Sequence, residues 1–109
     1  MKNLVILGGG ESGTGAALLA MKKGHKVFLS DKSTIKTKYK NVLLHHGIEW
    51  EENKHTLQKI LKASEVIKSP GIPEHAEVIR EIKKKNIPVI SEIEFAARYT
   101  KGKLLGITG

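Results

Sequence analysis

"NLVILGGGESG", Asn3 to Gly13, decides the fold. Leu4 to Leu7 is a continuous apolar run without polar alternation, which suits a strand covered on both faces. It meets Gly8-Gly9-Gly10 and then Glu11-Ser12-Gly13, which satisfies G-x-G-x-x-G between a strand and a helix. Gly8 permits a tight turn, Gly10 lets backbone approach a phosphate, and Gly13 lets the helix pack close to its strand. Unpaired N–H groups at the helix start then favour an anion. The competing reading is a glycine turn that merely joins two elements.

Outward from this stretch, the apolar period switches repeatedly. Ala17, Ala20 and Met21 fall at helical spacing until Gly24 stops the helix. "KVFLSD" is a second strand. "NVLLHHGIEWEE" holds a helical or irregular stretch, then a third strand around Ile48 to Trp50. Leu57, Ile60 and Leu61 mark a helix face before "EVIKS", the fourth strand. The next helix is expected to carry Pro73 in its first turn, with Ile79 and Ile82 facing inward and Lys83 to Lys85 at its carbonyl end. "IPVIS" is a fifth strand, Ser91 and Glu94 are spaced as a capping box, and "KLLGIT" reads as a sixth strand. Such alternation calls for right-handed crossovers and a Rossmann-like open parallel sheet with helices on both faces. The order 3-2-1-4-5 for the first five strands is inferred from the glycine motif.

Size and composition narrow the function. The chain has 109 residues, enough for one core, and no cysteine, so disulfides and thiolate metal sites are excluded. The apolar run before the glycines is too short for a secretory leader. No stretch approaches the roughly 18 apolar residues of a membrane span, and a cytoplasmic location is expected. The net charge is +8, from 19 Lys and Arg against 11 Asp and Glu. That favours anionic partners, but the lysines are scattered and no aromatic is interleaved with a basic cluster. A nucleic-acid or membrane partner is therefore not expected.

Three groups of residues carry chemistry. The first is the glycine loop. The second is Asp31, at the end of strand two and 18 residues past Gly13, where an acid accepts hydrogen bonds from a ribose. Asp-Lys-Ser also makes a good turn or cap; Lys32 and Ser33 share that rim. The third is "SPGIP", Ser69 to Pro73, after strand four. In a 3-2-1-4-5 sheet, strands one and four are neighbours where the winding reverses, and ligands bind outside the strand ends at that switch point. Alone, "SPGIP" is only a rigid turn. His25, His45, His46, His55 and His75 offer no i,i+4 pair matched to a carboxylate ligand, and read as surface histidines without a metal. Glu92 and Glu94 suit the first turn of a helix better than a catalytic pair.

Taken together, "VILGGGESG", Asp31, "KSPGIP", "VISEIEFA" and the closing "LLGITG" resemble the N-terminal domain of the muramyl ligases, in particular those that add D-glutamate. The resemblance covers essentially the whole chain. It implies a unit over residues 1–93 that binds the UDP part of a UDP-linked muramoyl-L-alanine. Residues 94–109 would then start a central ATP-binding domain, with Thr108 and Gly109 opening its phosphate loop. The implied reaction belongs to peptidoglycan precursor synthesis and uses ATP and magnesium through an acyl phosphate. Further domains of the same chain would supply the chemistry, so this part would bind without catalysing. The implied UDP contacts are Gly8, Gly10, Glu11, Ser12 and Gly13, then Asp31, Lys32 and Ser33, then Ser69 and Gly71. The chain departs from some relatives in having Glu11 and Ser12 in place of an apolar residue and Thr. It also has Lys32 and Ser33 where an arginine can follow the acid, so charge is present without a bidentate fork. A nicotinamide-binding module of an oxidoreductase or sensor remains the alternative. It suits the glycine loop and Asp31 but leaves "SPGIP" and "GITG" unexplained.

Overall fold

The computed structural model describes residues 2–99; the expected sixth strand, with Thr108, and Gly109 lie outside them. The chain runs β1 (Asn3–Leu7), α1 (Glu11–Lys22), β2 (Lys26–Ser30), α2 (Thr37–His45), β3 (Glu49–Glu51), α3 (Leu57–Ile60), β4 (Glu65–Lys68), α4 (Glu77–Lys84) and β5 (Val89–Ser91). A further helix, α5, occupies residues 92–99. All strand pairs are parallel, in the order β3-β2-β1-β4-β5, as the sequence pattern predicts.

The apolar run of β1 has two faces to fill. Leu4 and Ile6 point into a cluster with Ala16, Ala17 and Ala20 of α1, Leu43 of α2 and Phe95 of α5. Val5 and Leu7 point the other way, into a cluster with Ile60 of α3 and Val78, Ile79 and Ile82 of α4. Strand periodicity does this, since successive side chains alternate faces. Each buried aliphatic side chain contributes about 1.5–3 kcal/mol. The helices α1 and α2 thus cover one face and α3 and α4 the other. The chain changes face between β3 and β4, so the loops after β1 and β4 part company at adjacent strand ends.

The alanines of α1 have a second consequence. Small side chains on its buried face let the helix lie close to β1, and Gly13 carries this to the limit. A Cβ on Gly13 would stand 1.9 Å from the carbonyl oxygen of Gly8. Gly8 itself holds φ at +109°, a conformation that L side chains rarely adopt.

Two details differ from the sequence reading. Helix α4 starts at Glu77, and Pro73 sits four residues earlier, where the Ala76 N–H bonds to the Pro73 carbonyl at 3.1 Å and closes one more turn. Strand β3 is shifted one residue, to Glu49–Glu51, because its pairing continues to the end of β2, with Asp31 N–H on the Glu51 carbonyl at 3.1 Å. The capping box forms as expected, with Glu94 N–H on Ser91 Oγ at 3.1 Å and Ser91 N–H on Glu94 Oε1 at 3.3 Å. Helix α5 is fastened to β4 by Arg98, which donates to both Glu65 oxygens at 2.9 Å. That fork holds the Glu65 carboxyl below its usual range.

Two substitutions on α1 test the close approach. Gly13→Ala should lower stability by about 1–3 kcal/mol or more, because backbone has to move. Gly15→Ala, where among the described residues the added Cβ meets nothing within 4 Å beyond its chain neighbours and its own helix backbone, should raise it by about 0.5–1 kcal/mol. Urea midpoints read both; a tolerated Gly13→Ala contradicts the packing.

Candidate functional site

A cleft of about 820 Å³ opens at the carboxyl ends of the strands. That volume lies in the range of small-molecule sites. Of the ten residues singled out from the sequence for ligand contact, Gly8, Gly10, Asp31, Lys32, Ser33, Ser69 and Gly71 line it. Glu11, Ser12 and Gly13 are not among the lining residues: they form the first turn of α1, with Glu11 and Ser12 exposed and Gly13 buried against Gly8.

The loops after β1 and β4 meet closely. Ser69 N–H bonds to the Leu7 carbonyl at 3.0 Å, and a Cβ on Gly8 would stand 2.7 Å from Ser69 Cβ. Lys68 reaches forward to the Ile72 carbonyl at 2.7 Å and to Glu74 at 3.5 Å, which holds the Ser69–Pro73 bend in shape. Helix α1 begins after Gly10 with no side chain capping it. Among the described residues its first-turn N–H groups have no acceptor, the arrangement that suits an anion at a helix start.

Asp31 is more engaged than its place in the motif implies. One carboxylate oxygen accepts from Gly9 N–H at 2.7 Å, the other from Ser33 N–H at 2.8 Å. Both the turn reading and the proximity to the glycine loop hold, and Asp31 shapes that loop directly. A carboxylate offers about four acceptor positions, so capacity for a ligand remains.

The sequence reading missed one wall. Asn53, Lys54 and His55 line the cleft from the loop between β3 and α3, and His75 lines it ahead of α4. His55 is half-buried, not a surface side chain. It belongs to a polar network under the cleft floor. Ser30 Oγ, fully buried, donates to Glu51 Oε2 at 2.7 Å and lies 2.7 Å from His55 Nδ1 and 3.1 Å from the Lys54 carbonyl. Glu51 also accepts from Thr56 N–H and Thr56 Oγ1. Burial alone would raise the Glu51 carboxyl, but the Thr56 and Ser30 hydrogen bonds, with the charge of Lys54, hold it below the ordinary 4.5. Burial pushes His55 below the ordinary 6.5, against the pull of Glu51 and Asp31. The signal was present only in the parallel register, which pairs Ser30 with Glu51.

Elsewhere, Glu92 is buried with Oε1 lacking a hydrogen-bond partner among the described residues, as does Thr14 Oγ1. Among the described residues, no group of three or more His, Asp or Glu is placed to hold a metal. None of the described helices is long and apolar enough to cross a membrane.

Glu51→Gln should cost about 1–3 kcal/mol at pH 7, because an amide N–H₂ then faces a buried donor. A carboxyl depressed in the folded state stabilises above its unfolded value, and that contribution is lost as pH falls through the folded value. The stability gap between wild type and Glu51→Gln should therefore be full above pH 4.5 and close below it. A gap independent of pH in denaturation curves contradicts the network.

Comparison with known proteins agrees with this fold. A family model described as the MurD N-terminal domain matches residues 3–78. The UDP-N-acetylmuramoylalanine–D-glutamate ligase of Bacteroides thetaiotaomicron is 60% identical over 109 residues, 100% of this chain and 24% of that protein. A ligase of the same name from Christiangramia forsetii is 58% identical over 108 residues, 99% of this chain and 24% of that protein. Among solved structures, a murein peptide ligase Mpl from Psychrobacter arcticus superposes with TM-score 0.81 at 23% identity, over 90% of this chain and 20% of that one. The UDP-N-acetylmuramate-alanine ligase MurC of Thermotoga maritima gives TM-score 0.79 at 20% identity, over 93% and 23%. At such identities the two structures speak to the fold alone. The chain spans about a quarter of the length of the curated relatives it matches, at 24%. The family match over residues 3–78 and the identity to these ligases lead to one conclusion: this chain belongs to the MurD N-terminal domain family.

Proposed function

We propose that this chain anchors the UDP portion of a UDP-linked muramoyl-L-alanine for an ATP-dependent ligase of peptidoglycan precursor synthesis that adds D-glutamate in the cytoplasm. The observation that carries the reading is that the Gly8–Gly10 loop and the Ser69–Gly71 bend line one cleft, although 61 residues separate Gly8 from Ser69. The family membership and the names of the full-length relatives support the substrate class.

In this reading the backbone N–H groups of Gly10, Glu11, Ser12 and Gly13 face the diphosphate, helped by Lys32. Exposed Glu11 turns its charge to solvent. Asp31 and Ser33 on one rim, with Ser69 and Gly71 on the other, meet the uridine. None of these groups makes or breaks a bond; the binding is electrostatic and geometric. ATP and magnesium would act in other parts of the protein, with Thr108 and Gly109 at the start of the ATP phosphate loop.

Calorimetric titration with UDP and, separately, with NAD checks this. Saturable UDP binding without an NAD response is expected. NAD binding without a UDP response would favour the dinucleotide-module alternative instead. Lys32→Ala should weaken UDP binding about two- to fivefold, as exposed ion pairs do, and flatten its salt dependence.

A further inference from the structure

The network under the cleft fixes a proton. Ser30 Oγ has one hydrogen and three polar neighbours: Glu51 Oε2 at 2.7 Å, the Lys54 carbonyl at 3.1 Å and His55 Nδ1 at 2.7 Å. The first two can only accept, Glu51 as an ionised carboxylate and Lys54 as a carbonyl. The Ser30 hydrogen therefore goes to them, and the contact with His55 is made by a hydrogen on Nδ1. In a neutral imidazole this leaves Nε2 as a bare acceptor. Burial of His55 favours that neutral form. Among the described residues Nε2 has no hydrogen-bond partner, and His55 lines the cleft.

From this geometry we infer that His55 is a specificity-determining residue, its Nε2 accepting a hydrogen bond from an N–H or O–H donor on the nucleoside part of the bound nucleotide. The inference rests on the UDP reading above. It places His55 with the nucleoside because it shares a wall with Asp31, and the two are linked by Ser30 and by the Asp31 N–H bond to the Glu51 carbonyl at 3.1 Å. The phosphates are left to the glycine loop and the start of α1, on the other side of Asp31 from His55. A uracil imide and ribose hydroxyls are the donors available in such a ligand. Backbone N–H groups and lysines cannot accept from them, so an acceptor here adds to the remaining capacity of Asp31.

The test compares wild type with His55→Asn, titrated with UDP-N-acetylglucosamine. Its diphosphate is a diester with no ionisation near neutral pH. The asparagine amide can still donate to Ser30 but no longer presents an acceptor at the Nε2 position. His55→Asn should keep the wild-type melting temperature to within a few degrees and bind about three- to tenfold more weakly. His55→Phe, which keeps ring volume, should show the same loss of affinity. Analogues built on N3-methyluracil and on 2′,3′-dideoxyribose identify the donor: the one lacking it should bind wild type and His55→Asn alike.

The charges facing His55 are Asp31 and Lys32 from the end of β2 and Glu51 from β3, with Lys54 beside it in the loop. Protonation of Nε2 destroys the acceptor, so wild-type affinity should fall on acidification below pH 6.5 while that of His55→Asn falls less. Tighter wild-type binding in acid would mean that His55 meets phosphate, and would overturn the assignment. So would equal affinity of wild type and both variants. Absence of saturable binding by wild type would instead bring down the UDP reading, and this inference with it.

Discussion

The approach of Gly13 to the carbonyl of Gly8 is the contact on which the rest depends. With 1.9 Å between that oxygen and any added Cβ, no other residue fits unless backbone moves. The contact seats the first turn of α1 directly over the end of β1, so that its free N–H groups open where the sheet changes winding. The small side chains Ala16, Ala17 and Ala20 extend the same close packing down the helix. The two-sided apolar run of β1 allows helices on both faces, and it is the covering of both faces that creates the crevice between β1 and β4. Fold and site are thus one consequence of a few small residues beside a continuous apolar strand.

A second layer of structure holds the rim. Asp31 clamps Gly9 and Ser33 through their amides, Lys68 clamps the carbonyl of Ile72, and Glu51 gathers Ser30 and Thr56. Each of these charged groups serves backbone or a hydroxyl at the rim of the cleft. Charge-assisted hydrogen bonds of this kind are the stronger ones available to a protein. Their role here is positional: they fix amides and acceptors before any ligand arrives, which reduces the ordering cost of binding.

Much of this was legible in the sequence because it is local. The run Leu4 to Leu7, the turn at Gly8 with the close packing at Gly13, and the Ser91–Glu94 box each act within a few residues, and these formed as read. The strand order and the meeting of Ser69 with Gly8 were legible as well, since the winding of an α/β sheet follows from its motif. The wall made by Asn53, Lys54 and His55 was not. Ser30 and Glu51 are 21 residues apart, and Ser30 and His55 25 apart. Only the register of β2 on β3 brings them together, and one residue of slippage would have separated them. Pro73 misled for the opposite reason: proline suits a first helical turn, but a tight turn from Pro73 to Ala76 intervenes.

The central claim is that two segments remote in sequence form one binding crevice. Amide resonances of the chain, followed by heteronuclear NMR as UDP-N-acetylglucosamine is added, test it most directly. The account predicts that signals from Gly8 to Gly13 and from Ser69 to Gly71 shift together along one saturation curve. Shifts confined to one of the two segments, or centred elsewhere on the sheet, would contradict it.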